Sequence, residues 1–599
     1  MGRRSRHAAD PLATGGGPVG SGRRRPRRAV GVLAALAIGL APVAAPIVVP
    51  IVAPSAALAQ APSHGREGEA PARRAPERAG EARPEGRRLP PDATTEHTLT
   101  FPDGRSLSFT ATAGSLALVD EAGKLQAEIA FVAYARTGKS GDGKSGDGKS
   151  GDGKSADGKS EPGKPEAVAD RPITFGINGG PGAASAYLNI GAIGPWRLPT
   201  DGASISPSQR IALAPNAATW LDFTDLVFLD PVGTGYSRAA DGDAKKYWSV
   251  DADASVLAAA IARYLRANDR LASPKFYVGE SYGGFRGPLI AGKLQDDAGA
   301  ALSGLVLLSP VLDFAWLQSA RTTPWAFATR LPSFAAAAME RAGTVPTRGG
   351  MAEAERYAAG DYLADLLKGP GDREAVARLA ARVASLSGLD PDLVRRQAGR
   401  ISANSYQRAI GRDEGRVASA YDTAVTGWDP DPTAERSGFE DPLLSALQAP
   451  LSSAMIDFYA NTLNWRVTNM RYELLNNAVT RGWTWGSGRQ APEAMGALKD
   501  ALALDGNLRV LVAHGFTDLV TPYFASKLLI DQVPPYGDGG RLSLAVYPGG
   551  HMFYARAESR AAFRADVAAL FAAALRARSD GAPSGSAPRG EGAGERRTP

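Results

Sequence analysis

The sequence predicts an α/β protein: a mostly parallel central sheet, helices on its faces, and a helical lobe inserted into it. Three observations carry this. Short apolar runs at residues 173–177, 226–229, 276–278, 305–308, 510–512 and 542–546 are largely continuous rather than alternating, as in strands buried on both faces. Helical patterns such as 256–265 lie between them, and strand–helix alternation favours parallel pairing. Residues 312–507 hold mainly helical patterns, too long a stretch for a loop, so they form a lobe inserted into the sheet domain.

At the N-terminus, Arg23, Arg24, Arg25, Arg27 and Arg28 precede an apolar run over 29–52, and Ala57-Leu58-Ala59 supplies small residues before Gln60. Pro42, Pro46 and Pro50 each remove a backbone donor from that run, which favours a cleaved export segment (1–59) over a retained anchor. The expected destination is periplasmic or secreted. Residues 60–94 are rich in Ala, Pro, Gly, Arg and Glu and are expected as a disordered linker, as is the tail 576–599. The folded body is expected over 95–575. It begins with hairpin-like segments at 98–101, 106–110 and 127–135, suited to antiparallel edge strands. A Gly-Lys-Ser-Gly-Asp repeat over 138–165 is a charged loop insertion. Its Gly138, Gly143, Lys144 and Ser145 satisfy a phosphate-loop spacing, but no apolar helix follows to present amides to a phosphate, so no nucleotide site is expected. Within the inserted lobe, Val376, Leu379, Ala380, Val383 and Leu386 share a helix face. Gly388 stops that helix, and Asp390-Pro391 opens the next.

Composition excludes several chemistries. There is no Cys, hence no disulfide, thiolate zinc site, iron–sulfur cluster or cysteine nucleophile. Only five His are present: His7, His64, His97, His514 and His551. The net charge of +6 is concentrated in residues 1–59, which hold eight Arg and one Asp, so the remaining chain is close to neutral. That balance does not suggest a nucleic-acid partner. No cofactor or metal is expected, and no stable membrane insertion once the export segment is removed.

The chemistry centres on Ser281. Gly279-Glu280-Ser281-Tyr282-Gly283 follows a strand and precedes an apolar segment, the strand–turn–helix setting of a nucleophile elbow. In α/β-hydrolases the order is serine, acid, histidine. His551, in Pro548-Gly549-Gly550-His551-Met552 beyond the last strand, is the preferred base. Asp518, in His514-Gly515-Phe516-Thr517-Asp518, would orient it. His514 is the rival base, but its place at a strand end suits a structural role better. Asn178-Gly179-Gly180-Pro181-Gly182 follows an early strand, where bare backbone can approach a developing oxyanion. The N–H groups of Gly180 and Tyr282 are the candidate donors. Asp222, Asp225 and Asp230 are expected to be structural.

Taken together, Asn-Gly-Gly-Pro-Gly (178–182), Gly-Pro-Trp (194–196), Asp-Pro-Val-Gly-Thr-Gly-Tyr-Ser (230–237), Gly-Glu-Ser-Tyr-Gly-Gly (279–284), Gly-Phe-Thr-Asp (515–518) and Gly-Gly-His-Met (549–552) resemble the serine carboxypeptidase family over about 171–575. The resemblance implies an α/β-hydrolase fold, removal of C-terminal peptide residues at acidic pH, and a helical cap shaping the pocket. It supports Ser281, Asp518 and His551 as the triad. It assigns Asn178 and Glu280 to the substrate's terminal carboxylate. Departures bear on that last role: Ala183 replaces the usual Cys, Gly176 a frequent Trp, and Ala192 a second carboxylate-binding Glu, while the segment at Asp230-Pro231 is one residue short. Another hydrolase of the same fold, a proline-type aminopeptidase or an esterase, is the alternative. A non-catalytic envelope-binding protein is a third reading, opposed by the intact Ser281, Asp518 and His551. Trp316, Trp325, Trp483 and Trp485 are candidate pocket linings, with core packing the expected role for most.

Overall fold

The computed structural model describes residues 86–137 and 171–580, apart from 201–205, 210–211, 318–321, 436, 487, 489 and 538–539. The expected export segment, most of the expected linker and the repeat with its phosphate-loop spacing lie outside these residues.

The nine long strands of the main sheet are β1 (Ala93–Thr100), β2 (Ser106–Val119), β3 (Leu125–Arg136), β4 (Ile173–Ile177), β5 (Asp225–Leu229), β6 (Lys275–Glu280), β7 (Gly304–Leu308), β8 (Arg509–Gly515) and β9 (Leu542–Tyr547). They pair in the order β1-β2-β3-β5-β4-β6-β7-β8-β9, and the two-residue strand Arg238–Ala239 pairs with β3 as the tenth member. β1 to β3 form an antiparallel meander, and β3 joins β5 antiparallel. From β5 to β9 every pairing is parallel. Strands β4 to β7 are buried along their whole length, which explains their continuous apolar runs.

Six helices matter for the site: α1 (Val250–Ala267), α2 (Tyr282–Ala298), α3 (Trp325–Arg341), α4 (Pro442–Asp457), α5 (Met495–Leu504) and α6 (Ala557–Asp580). One face of the sheet is covered by α1, α2 and α5, with Leu257, Ile261, Ile290, Leu498 and Leu502 in a shared core. The other face takes α6 through Phe563, Val567 and Phe571, and the segment 451–474 through Leu451, Phe458 and Trp465. The last part of the predicted insertion, α5, thus packs on the sheet beside α2 rather than standing in a separate lobe. A third core, made of α3 and the helices between 348 and 396, takes in Phe516, Leu519, Tyr523 and Phe524 from beyond β8. The helix expected from Val376 to Leu386 runs Arg373–Ser387, with Gly388 left-handed at its end and Asp390 capping the next helix at Pro391.

Two expected boundaries move. The linker to residue 94 is docked from Arg87 onward. The buried Glu128 carboxylate accepts from Arg87 Nε (3.2 Å) and from the Arg88 (2.8 Å) and Leu89 (3.4 Å) amides, and Leu89 is buried. Charged composition gave no sign of this, because the partner lies on β3. At the other end α6 continues to Asp580, past the expected limit at 575.

Candidate active site

The nucleophile turn is built from local chain geometry. β6 ends at Glu280, Ser281 has φ 60° and ψ −122°, and Tyr282 opens α2. A residue with a side chain is strained there, a common feature of functional turns. The strain is held by close backbone approach. A Cβ at Gly279 would lie 2.2 Å from the Gly283 carbonyl oxygen, and one at Gly283 would lie 2.3 Å from that of Ile177, so only glycine fits at either position. Ser281 N–H donates to the Leu308 carbonyl at 2.8 Å. Its side chain is half-buried.

The Asn178–Gly182 turn abuts this elbow. A Cβ at Gly179 would fall 2.5 Å from the Tyr282 nitrogen, and Gly180, at φ 101°, is exposed. As the first residue of α2, Tyr282 has an N–H with no intrahelical acceptor. The turn thus lies directly against the first residue of α2, with Gly180 the next residue along from the contact.

Asp518 and His551 meet across β8 and β9. His551 Nδ1 lies 2.8 Å from Asp518 Oδ2, and the two residues are 3% and 0% exposed. Asp518 Oδ1 accepts the Val520 and Thr521 amides at 2.8 and 2.9 Å, and Thr521 Oγ1 sits 2.6 Å from Asp518 Oδ2. Burial alone would raise the Asp518 pKa, but His551 and these hydrogen bonds hold it below the ordinary carboxylate value. Burial likewise opposes charge on His551, and Asp518, Glu280 and Asp441 outweigh it, leaving the imidazole above its ordinary pKa. With Nδ1 committed to Asp518, Nε2 is the nitrogen left for proton transfer. The His551 carbonyl accepts from Ser309 Oγ at 2.9 Å, one residue past the strand end that receives the Ser281 amide. A Ser281 Oγ–His551 contact is not among the hydrogen bonds of the described residues; such links commonly close only with substrate bound.

Asn178 and Glu280 also meet. Asn178 Nδ2 donates to Glu280 Oε2 at 2.6 Å, and Tyr554 OH donates to the same carboxyl at 2.9 and 3.0 Å. Both residues are 3% exposed. Burial pushes the Glu280 pKa up, against the lowering effects of His551, Tyr554 and Asn178. His514 stands apart from this chemistry. It is fully buried, its Nε2 pairs with Ser526 Oγ at 2.9 Å, and burial lowers its pKa to about 4. Of the four tryptophans, Trp483 and Trp485 stand against the Tyr282 ring at 5.3 and 5.7 Å, while Trp316 and Trp325 pack on each other.

Sequence reasoning did not single out Tyr554, Thr521, Arg286 or Asp253. Tyr554 and Thr521 lie three residues after His551 and Asp518, and that proximity was their only signal. Arg286, on α2, ion-pairs with Asp253 of α1, donates to the Asn178 carbonyl and lies 4.7 Å over the Tyr282 ring. Among the described residues no cluster of His, Asp or Glu is placed to hold a metal ion.

Residues 163–336 match the serine carboxypeptidase family model. That segment contains the Asn178 turn and the Ser281 elbow. Among curated proteins, the chain is 31% identical over 144 residues to the pheromone-processing carboxypeptidase KEX1 of Yarrowia lipolytica, covering 23% of this chain and 22% of that one. It is 30% identical over 161 residues to serine carboxypeptidase-like 33 of Arabidopsis thaliana, covering 25% and 31% respectively. The match thus spans less than a third of the length of either relative. Among solved structures, proline iminopeptidase of Mycobacterium smegmatis aligns over 81% of this chain and 100% of its own, at 15% identity and a TM-score of 0.31. The order of the parallel strands and the elbow after β6 make this an α/β-hydrolase fold. Among the described residues no helix is long and apolar enough to cross a membrane.

Proposed function

We propose that the protein is a serine carboxypeptidase acting through Ser281, His551 and Asp518. Ser281 Oγ attacks the scissile carbonyl while His551 Nε2 takes its proton, and the Gly180 and Tyr282 amides bind the oxyanion. The amine leaves with the proton from His551, and water then cleaves the acyl-enzyme by the reverse route.

The observation that carries the carboxy-terminal reading is the buried Asn178–Glu280–Tyr554 cluster beside this machinery. Once protonated, Glu280 can donate a hydrogen bond to a substrate carboxylate, and the second Asn178 amide hydrogen supplies another donor. An ionised Glu280 would repel that carboxylate, whereas an aminopeptidase would need it ionised to hold an amine. Against Tyr554 lies an apolar cavity of about 40 Å³, bordered by Tyr187, Leu447, Leu451 and Met552.

The pH dependence follows from the two raised pKa values. Glu280 keeps its proton above the ordinary carboxylate range, and a bound carboxylate strengthens that. His551 loses its proton only above the ordinary imidazole value. The competent form carries one proton on Glu280 and none on His551. It is lost to protonation of His551 as pH falls and to ionisation of Glu280 as pH rises, which gives a bell. Free-acid peptides should show this bell, displaced to acid relative to amidated peptides, which keep activity at higher pH. Glu280→Gln should flatten the alkaline rise in KM. Identical acid and amide profiles, unchanged in Glu280→Gln, would falsify the carboxylate role and favour the aminopeptidase or esterase reading.

The export segment belongs to the same proposal: residues 1–59 direct the chain to the periplasm or beyond and are removed. Intact-mass analysis of exported protein should place the N-terminus at or near Gln60. Retention of 29–52 would refute this.

A further inference from the structure

Arg330 projects from α3, a helix of the cap, toward the turn that carries Asp518. Its guanidinium donates to three main-chain carbonyls: Ala326 at 2.8 Å, Leu317 at 3.2 Å and Leu519 at 3.3 Å. Among the described residues it forms no ion pair. Leu519 is the residue around which the Asp518 turn closes, since Asp518 Oδ1 accepts the amides of Val520 and Thr521 on its far side. The cap holds Leu519 at every point: its carbonyl by Arg330, its amide by the Ala420 carbonyl at 2.9 Å, and its side chain in the cap's hydrophobic core.

The charge has a consequence as well as the contact. Asp518, Glu280 and Asp441 act electrostatically on His551, each anionic when ionised, while burial keeps His514 neutral. The Tyr421 ring meets the imidazole edge-on at 5.3 Å, and Thr521 Oγ1 lies 3.0 Å from Nδ1. Arg556, on the following turn, is occupied by Glu340 and Asp422. Asp518 acts electrostatically on the buried Arg330 guanidinium, which is bonded to the next residue's carbonyl, and a cation on that side of the turn opposes protonation of His551.

We infer that Arg330 is a positioning residue for the triad: it fixes the Asp518 turn through Leu519, and its charge holds down the basicity of His551. The inference rests on the Ser281–His551–Asp518 reading but not on carboxylate recognition. The test is the pH dependence of fluorophosphonate labelling of Ser281 in the wild type, Arg330→Lys, Arg330→Gln and Arg330→Met. Both neutral variants should raise the apparent pKa of the acid limb by about half a unit or more and slow labelling at its optimum. Arg330→Lys should keep the wild-type pKa while labelling more slowly, because a single ammonium cannot span three carbonyls. Arg330→Gln retains a donor toward Leu519 and carries the test if Arg330→Met does not fold. An acid limb that stays put in every folded variant, with only rate or melting temperature changed, would reduce Arg330 to a structural tie. Failure of both neutral variants to fold would do the same. Absence of labelling in the wild type would remove the nucleophile reading, and this inference with it.

Discussion

The two halves of the candidate site are held in different ways. Asn178, Glu280 and Ser281 stand at the ends of β4 and β6, adjacent parallel strands in the middle of the sheet. Their geometry comes from glycines that let two turns touch, braced from below by the Arg286–Asp253 pair. Asp518 and His551 follow β8 and β9, toward the opposite end of the sheet from the meander, and the cap holds them. Leu519 N–H donates to Ala420, His551 N–H donates to the Tyr421 carbonyl at 2.5 Å, and Arg556 grips Asp422 and Glu340. The Ser281 half is set mainly by the sheet's own turns, with Leu474, Asn476 and Thr480 of the insertion bonded to the far end of the 178–184 segment, whereas the Asp518–His551 half is held directly by cap main chain at Ala420 and Tyr421. A change at Ala420 or Tyr421 should therefore reach the candidate site through Asp518 and His551.

The sharpest break lies at the chemistry itself. Ser281→Ala should lose activity by about a million-fold while retaining the fold, and His551→Ala should be about as damaging. His514→Ala should keep turnover within roughly ten-fold and instead lower stability by about 2 kcal/mol, because it empties a fully buried site. Steady-state kinetics alongside chemical denaturation separates these outcomes; near-complete inactivation by His514→Ala with activity retained in His551→Ala would reverse the assignment.

A second contrast sets brace against clasp. Arg286→Met strands Asp253 in the core without its partner, so unfolding free energy should fall by about 3–5 kcal/mol. Because Arg286 also holds the Asn178 carbonyl, any folded fraction should show a raised KM for free-acid peptides. The smallest effect is expected at Arg556, whose side chain is partly exposed. Arg556→Ala leaves Asp422 without its cation and should cost about 1–3 kcal/mol, with a modest loss in kcat and little change in KM. A larger loss in KM than in kcat would mean that the cap contact serves substrate binding rather than the base.

The strands, the elbow and the turn at 178–182 were legible because each depends on short-range rules. Apolar runs mark strands buried on both faces, and a glycine-flanked serine between strand and helix marks a strained turn. Asp518 and His551 were legible only as motifs in the expected order, since nothing in Gly-Gly-His-Met states that a cap segment some 130 residues earlier accepts the His551 amide. The docking of Arg87 on Glu128, the pairing of Arg286 with Asp253 and the reach of Arg330 to Leu519 were not legible. An arginine in sequence carries no sign of which distant carbonyl or carboxylate will neutralise it.

By itself, the sequence determined the α/β class, the absence of thiol chemistry, the restriction of any histidine chemistry to a few positions and the placement of the candidate nucleophile in a strand–turn–helix, because composition and local periodicity suffice for these. The tertiary structure decided which histidine has a carboxylate partner, that Glu280 is buried against Asn178 and Tyr554, and that the cap grips the acid and the base. Those outcomes depend on burial and on partners brought together by folding, and the electrostatic cost of a buried charge is set by the groups around it rather than by its neighbours in the chain.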